Sequence, residues 1–166
     1  MSIVNMIDSN NIEIRAAHSP EVIRLGQLLR DSFISTMSPI VPDAANVAFA
    51  NLKEPERFAQ SCWQDFQVLA IQNVIKGMLF VVENKIESLH LDPAQKRRGY
   101  GSLLLRKGES IILYEGYSVA KLDVLIANQA AIAFYQSQGW QIDSEFIGLE
   151  VGDVQVPMYE MRKKLR

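Results

Sequence analysis

The sequence predicts an α/β fold, in which a mixed sheet of about six or seven strands is flanked by about four helices within a single domain, residues 1–166. Three observations predict it. Strand-like runs follow one another in mid-chain, strands alternate with helical segments towards the C-terminus, and no repeat, low-complexity stretch or linker divides the chain. That order suits helices packed on a mixed sheet, and 166 residues suffice for one real core.

The elements follow in order. Ile12–Arg15 ("IEIR") alternates and reads as a short strand. In "SPEVIRLGQLLRDSF", Ser19 is the expected N-cap and Pro20 the first helical residue, with Val22, Leu25, Leu29 and Phe33 on one apolar stripe. "STMSPIVPDAAN" (35–46) holds two prolines and reads as a loop; a weakly capped helix follows over roughly 54–64. "FQVLAIQ" (66–72), "GMLFVVE" (77–83) and "IESLHLD" (86–92) read as three strands, the last two joined by a tight turn at Asn84-Lys85. Residues 102–115 return to helical spacing, although Gly108 falls inside that helix at a cost of about 1 kcal/mol without a visible reason. "AKLDVLIA" (120–127) is a strand, "NQAAIAFYQSQGW" (128–140) a capped helix and "VPMYEMRKK" (156–164) a closing strand.

Composition narrows the function classes. Hydrophobic residues make up 48%, charged residues 22%, and the net charge is −2, an ordinary globular profile rather than that of a protein built to hold a nucleic-acid backbone. No nucleic-acid partner is expected. Cys62 is the only cysteine, and His18 and His90 lie far apart, so neither a disulfide framework nor a metal site is expected. "MSIVNMIDSNN" lacks the features of a secretory leader, and "VIKGMLFVV" (74–82) is too short to span a bilayer. A reducing, cytoplasmic setting and no membrane association are the expectation.

The stretch "DPAQKRRGYGSLLL" (92–105) carries the strongest chemical signal. A strand, a glycine turn and a helix together form a phosphate cradle, because the first amides of a helix lack internal partners and its dipole favours an anion. Gly99 and Gly101 let an anion approach without a Cβ in the way, and Lys96, Arg97 and Arg98 add charge. A solvated basic turn is the alternative. No P-loop string exists, and the dinucleotide fingerprint fails at Leu104, where it needs a third glycine. The second signal is N-x-x-A-x-x-F-Y-x-x-x-G-W, with Asn128 as N-cap, Ala131, Ile132 and Tyr135 at helical spacing, and Gly139 as terminator. Alone it is a capped amphipathic helix.

Together the two motifs resemble the GNAT superfamily of acetyl-CoA-dependent N-acetyltransferases, over roughly 66–165 and more loosely the helical N-terminal third. In that family [QR]-x-x-G-x-[GA] binds the diphosphate of coenzyme A through backbone amides. Here it falls on Lys96, Arg97, Arg98, Gly99, Tyr100 and Gly101, with Ser102 opening the helix; Lys96 departs from the usual Gln or Arg, and Gln95 lies one place earlier. The resemblance implies that the backbone of Leu89, His90 and Leu91 bonds the pantetheine arm. It also implies that Asn128, with Ala131 in the same motif, contacts that arm, and that Tyr135 faces the thioester sulfur. The ending "VPMYEMRKKL" is similar to that of small bacterial members.

The implied reaction is attack of a neutral amine on the acetyl carbonyl, with coenzyme A leaving as a thiol. Holding the two reactants in line supplies much of the acceleration, and an N–H near His90 or Leu91 could polarise the carbonyl. A phenol of pKa ~10 giving its proton fully to a thiolate of ~8.5 would be uphill by roughly 2 kcal/mol, so Tyr135 is expected to offer a tightening hydrogen bond. An alkyl ammonium of pKa ~10.4 must first lose a proton. Glu87 and Asp123 are the candidate bases, and a reaction with no dedicated base stays open. Family members often carry a carboxylate nearer the start of the strand, where this chain has Lys85. Strand alternation puts Glu87 with Leu89 and Leu91 and away from His90 unless a bulge intervenes; His90 reads as a base or as a half-buried neighbour of polar groups. By analogy of fold, "DSFISTMSPI" (31–40) walls the acceptor pocket, with Phe33, Thr36 and Met37 lining it.

The expected function is therefore acetyl transfer from acetyl-CoA, without a metal, to a small-molecule or peptide amine. The other reading is a non-catalytic coenzyme-A-binding module or regulatory protein. Dimers are frequent among relatives, so a homodimer is compatible with this reading. A nucleic-acid-directed acetylating toxin would need a broader basic surface than a net charge of −2 offers.

Overall fold

Seven strands in the order β1-β2-β3-β4-β5-β7-β6 form one sheet in the computed structural model, which describes residues 11–166. Residues 1–10, on which the leader reading rests, lie outside the described residues. The strands are β1 (Ile12–Ala16), β2 (Phe66–Ile71), β3 (Val74–Val82), β4 (Lys85–Leu91), β5 (Val119–Leu125), β6 (Gln141–Glu150) and β7 (Val154–Lys164). All neighbours are antiparallel except β4 and β5, whose parallel pairing is the one place a crossover helix is needed. That helix is α4 (Tyr100–Tyr114); the others are α1 (Val22–Ser32), α2 (Asp43–Leu52), α3 (Glu54–Cys62) and α5 (Gln129–Ser137).

The helices cover both faces. Leu104, Leu105 and Ile112 of α4 and Ile132 of α5 are buried with Leu79, Leu122 and Met161 of the sheet. On the other face Leu25, Leu28 and Leu29 of α1 and Ala59 of α3 pack on Phe66, Val68 and Met78. A third cluster joins α2, through Ala45 and Phe49, to Phe33, Leu125 and Val156. Among the described residues no helix is long and apolar enough to cross a membrane.

Several expectations need correction. The first helix is preceded by a 3₁₀ turn, Ser19–Glu21, in which Glu21 Oε2 accepts from the His18 amide at 2.7 Å, so capping begins one residue before Ser19. Helix α2 begins inside the stretch read as a loop. Pro42 occupies its N-cap, so the prolines mark the helix start rather than continued coil. Strand β6 was absent from the reading because Gln141–Ile147 are exposed on both faces, which erases the alternation that marks a strand. Helix α4 starts at Tyr100 rather than 102, and the β3–β4 turn falls on Glu83 and Asn84.

Gly108 now has a reason. A Cβ there would stand 3.0 Å from Ile86 Cδ1 and 3.3 Å from Leu79 Cδ1. The missing side chain lets α4 sit close on the sheet.

Candidate active site

The glycine turn connects β4 to α4. Asp92 closes the end of the strand: its side chain accepts from the Ala94 amide at 3.0 Å and pairs with Arg24 of α1 at 3.1 Å. Arg97 then takes a left-handed conformation (φ 63°), as does Gly99 (φ 82°), the N-cap of α4. A non-glycine residue held there stores of order 1 kcal/mol of strain, typically where function requires it. Nothing lies within 4 Å of where a Gly99 Cβ would be. The amides of Arg98 to Ser102 donate to no protein acceptor among the described residues. Lys96, Arg97 and Arg98 are exposed and have no carboxylate partner there. Open space, unspent amides and unpaired cations therefore meet at one helix start.

Beside this turn the sheet splits. The β4–β5 ladder has two pairs only, Lys85 with Lys121 and Ile86 with Leu122. Beyond them, the edge of β4 that carries Leu89, His90 and Leu91 has no strand partner. Leu89, Leu91, Tyr100, Phe134 and Tyr135 each pack against the apolar cluster beneath α4 and α5. A Cβ on Gly101 would touch Phe134 at 3.4 Å and Leu91 at 3.6 Å, which shows how closely the first turn of α4 meets α5 and β4.

On the far side of the split, Asn128 caps α5: its Oδ1 accepts from the Ala131 amide at 3.2 Å, which leaves its NH₂ group free for another partner. Tyr135 lies between Phe134 and Trp140, with ring centroids 5.3 and 6.2 Å away, and its hydroxyl bonds no protein group among the described residues. Burial pushes the phenol up to about 12. Set against a thiol of ~8.5, full proton transfer would then cost about 5 kcal/mol, so Tyr135 can stabilise a leaving sulfur by hydrogen bonding without surrendering its proton.

The carboxylates sit differently from expectation. The β3–β4 register passes from Phe80↔Ser88 to Val81↔Ile86, leaving Glu87 as the extra residue of a bulge. Glu87 therefore does not share the face of Leu89 and Leu91, and its carboxylate reaches Lys85 Nζ at 3.7 Å. The same ammonium donates to Asp123 Oδ2 at 2.7 Å. Burial alone would lower the Lys85 pKa, but the Asp123 carboxylate outweighs it and holds the lysine above its ordinary value. Asp123 is thus held by a short bond through one oxygen and Glu87 only by a long one.

His90 faces α1. Its Nδ1 lies 2.8 Å from Ser32 Oγ, and although the residue keeps some accessible surface, enclosure of the ring pushes its pKa down to about 4. A neutral imidazole bound to a hydroxyl is a structural arrangement, not a base poised near pH 7. Of the residues expected to line the acceptor pocket, Phe33 is 8% exposed and stacks on Phe49, with centroids 3.9 Å apart. Met37 is half-buried beside them, and Thr36 Oγ1 accepts from Lys96 Nζ at 2.8 Å. Phe33, Thr36 and Met37 all lie on a π-helical turn, Phe33–Met37.

The sequence reading missed Ser32 and the part played by Lys85. Both act through partners distant in the chain, His90 for Ser32 and Asp123 for Lys85, while the β4 bulge, invisible to alternation, is what turns Glu87 away from the face of Leu89 and Leu91. A groove of about 980 Å³, lined by Arg106, Glu109, Gln141 and Lys164 among others, lies towards the opposite end of α4 and includes none of these groups.

Residues 29–140 match the family model described as the acetyltransferase (GNAT) family. The fold is similar to a GCN5-related N-acetyltransferase from Rhodopseudomonas palustris (TM-score 0.79, 15% identity, covering 92% of this chain and 95% of that one). It is also similar to the PaiA N-acetyltransferase from Thermoplasma acidophilum in complex with coenzyme A (0.71, 23%, 92% and 98%). A third is YncA from Salmonella typhimurium with its cofactor acetyl-CoA (0.70, 16%, 94% and 95%). No curated protein matches the sequence.

Proposed function

Because the chain belongs to the GNAT acetyltransferase family, we propose that it moves the acetyl group of acetyl-CoA to a primary amine of a small molecule or peptide, by direct attack in a ternary complex. Residues 1–166 form one N-acetyltransferase domain in this reading, with the cofactor-binding core at about 66–140. The observation that carries it is the split between β4 and β5 beside unspent amides at the start of α4.

The residues present fit the cofactor. A diphosphate placed over Gly99 would meet the amides of Gly99, Tyr100, Gly101 and Ser102 and the unpaired charges of Lys96, Arg97 and Arg98, with no Cβ in its way. When bound, acetyl-CoA supplies an activated acyl group and a thiol leaving group. The free strand edge at Leu89, His90 and Leu91 and the NH₂ group of Asn128 orient the pantetheine arm, with Ala131 beside it. An amide on that same edge faces the carbonyl oxygen as charge develops there.

Tyr135 donates its hydrogen bond to the departing sulfur. Glu87 accepts the amine's proton, directly or through one water, since its bond to Lys85 is long and its side chain is 38% exposed. Asp123, fixed by Lys85, sets the electrostatics of the cleft instead. Thr36 and Met37 line the acceptor side and Phe33 backs them.

The test is release of free thiol on incubation with acetyl-CoA and a panel of amines, repeated with Tyr135→Phe. Turnover with some amine, lost or much slowed in the variant, supports transfer. Coenzyme A binding without thiol release for any amine would favour the non-catalytic module.

A further inference from the structure

Two side-chain hydrogen bonds tie the π turn, Phe33–Met37, to the elements of the cofactor site. Just before the turn, Ser32 Oγ lies 2.8 Å from His90 Nδ1 on β4. Within it, Thr36 Oγ1 accepts from Lys96 Nζ at 2.8 Å, and Lys96 belongs to the glycine turn. The π turn continues α1 without a break but has an irregular ladder, so side-chain ties matter to its geometry more than they do in a regular helix. The first tie rests on strand β4. The second hangs on one exposed, flexible side chain.

An ammonium has three N–H donors, and only one of those on Lys96 is spent on Thr36. The other two have no carboxylate partner among the described residues. We infer that Lys96 is a positioning residue shared by the two substrates: its ammonium holds Thr36 and the cofactor diphosphate together, so that cofactor binding fixes the acceptor wall. The inference rests on the diphosphate reading given above. A long lysine stem loses rotamer freedom when its head is held at one point. An anion holding the head therefore lowers the remaining cost of the Thr36 bond. By reciprocity, an acceptor that braces Thr36 tightens cofactor binding by the same factor.

Hydrogen exchange reads this directly. The amides of Ser38, Ile40 and Val41 donate to the carbonyls of Phe33 and Met37 and report the turn. They are followed with and without saturating coenzyme A, with binding measured in parallel by calorimetry. Coenzyme A is expected to slow their exchange by about fivefold or more in the wild type and in Thr36→Ser, which keeps the hydroxyl. Thr36→Val and Lys96→Met, both saturated with coenzyme A, are expected to show no such slowing. A merely structural Thr36 would change exchange equally with and without ligand. Equal slowing in Thr36→Val, or bound coenzyme A that leaves the wild-type turn unchanged, would overturn the inference. Failure of the wild type to bind coenzyme A at all would instead defeat the diphosphate reading, and this inference with it.

Discussion

The ammonium of Lys85 lies 2.7 Å from Oδ2 of Asp123, bridging β4 and β5 at the point where their ladder stops. Of the two candidate bases, this pair engages Asp123 and leaves Glu87 the freer. Asp123→Asn removes the partner of a half-buried charge, and the expected loss is about 1–3 kcal/mol of stability by urea denaturation. Glu87→Gln should change stability by less than about 0.5 kcal/mol, as befits an exposed pair. It should lower kcat/KM by about a hundredfold. The reverse split would assign the proton transfer to Asp123.

Tyr135→Phe tests the leaving-group contact. Since the hydroxyl bonds no protein group among the described residues, unfolding free energy and coenzyme A affinity should hold while kcat falls by about 10²–10³. With its pKa pushed up to about 12, Tyr135 keeps its proton throughout the working range. Any alkaline limb in the wild-type kcat profile at lower pH should therefore persist in the variant. Unchanged kcat would make Tyr135 a packing residue.

His90 ties stability to pH. Its pKa is about 4 folded against ~6.5 unfolded, so between those values the unfolded chain binds the extra proton. The stabilisation is fully present above pH 6.5 and is lost as pH falls towards 4, by at most about 3 kcal/mol. Denaturation midpoints of His90→Gln should show a flatter fall across that window than wild type. An identical fall in both would place the sensitivity elsewhere.

Legibility varied with how local each signal was. The strands β2 to β5, the glycine turn and the capped helix α5 were readable because alternation, glycine spacing and an N-cap act within a few residues. Helix α2 hid behind Pro39 and Pro42, and its stripe buries only Ala45 and Phe49. Strand β6 hid because nothing covers Gln141–Ile147 on either face. Within the site, the residues of the turn and of α5 could be named from their motifs. The Lys85–Asp123 pair, the Ser32–His90 bond and the Thr36–Lys96 bond span distant segments, and no periodicity encodes such pairings.

Gly108 illustrates the same limit. Its helical cost is visible in the sequence, and its gain, the close approach of α4 to Ile86 and Leu79, is not. Gly108→Val should lower stability by about 1–3 kcal/mol through overpacking, outweighing a few tenths gained in helix propensity. Thermal unfolding checks it, and a raised midpoint would mean that the helix can move outward at little cost.

Titration with coenzyme A, by calorimetry, tests the centre of the account most directly. Wild type should bind. Gly99→Ile, which puts a branched side chain at φ 82° and over the open amides, should bind far more weakly. So should Arg97→Glu combined with Arg98→Glu, by about a hundredfold at least, since each charge-assisted contact contributes roughly 1.5–3 kcal/mol. Wild-type affinity retained in both variants would contradict the assignment of the diphosphate to the start of α4.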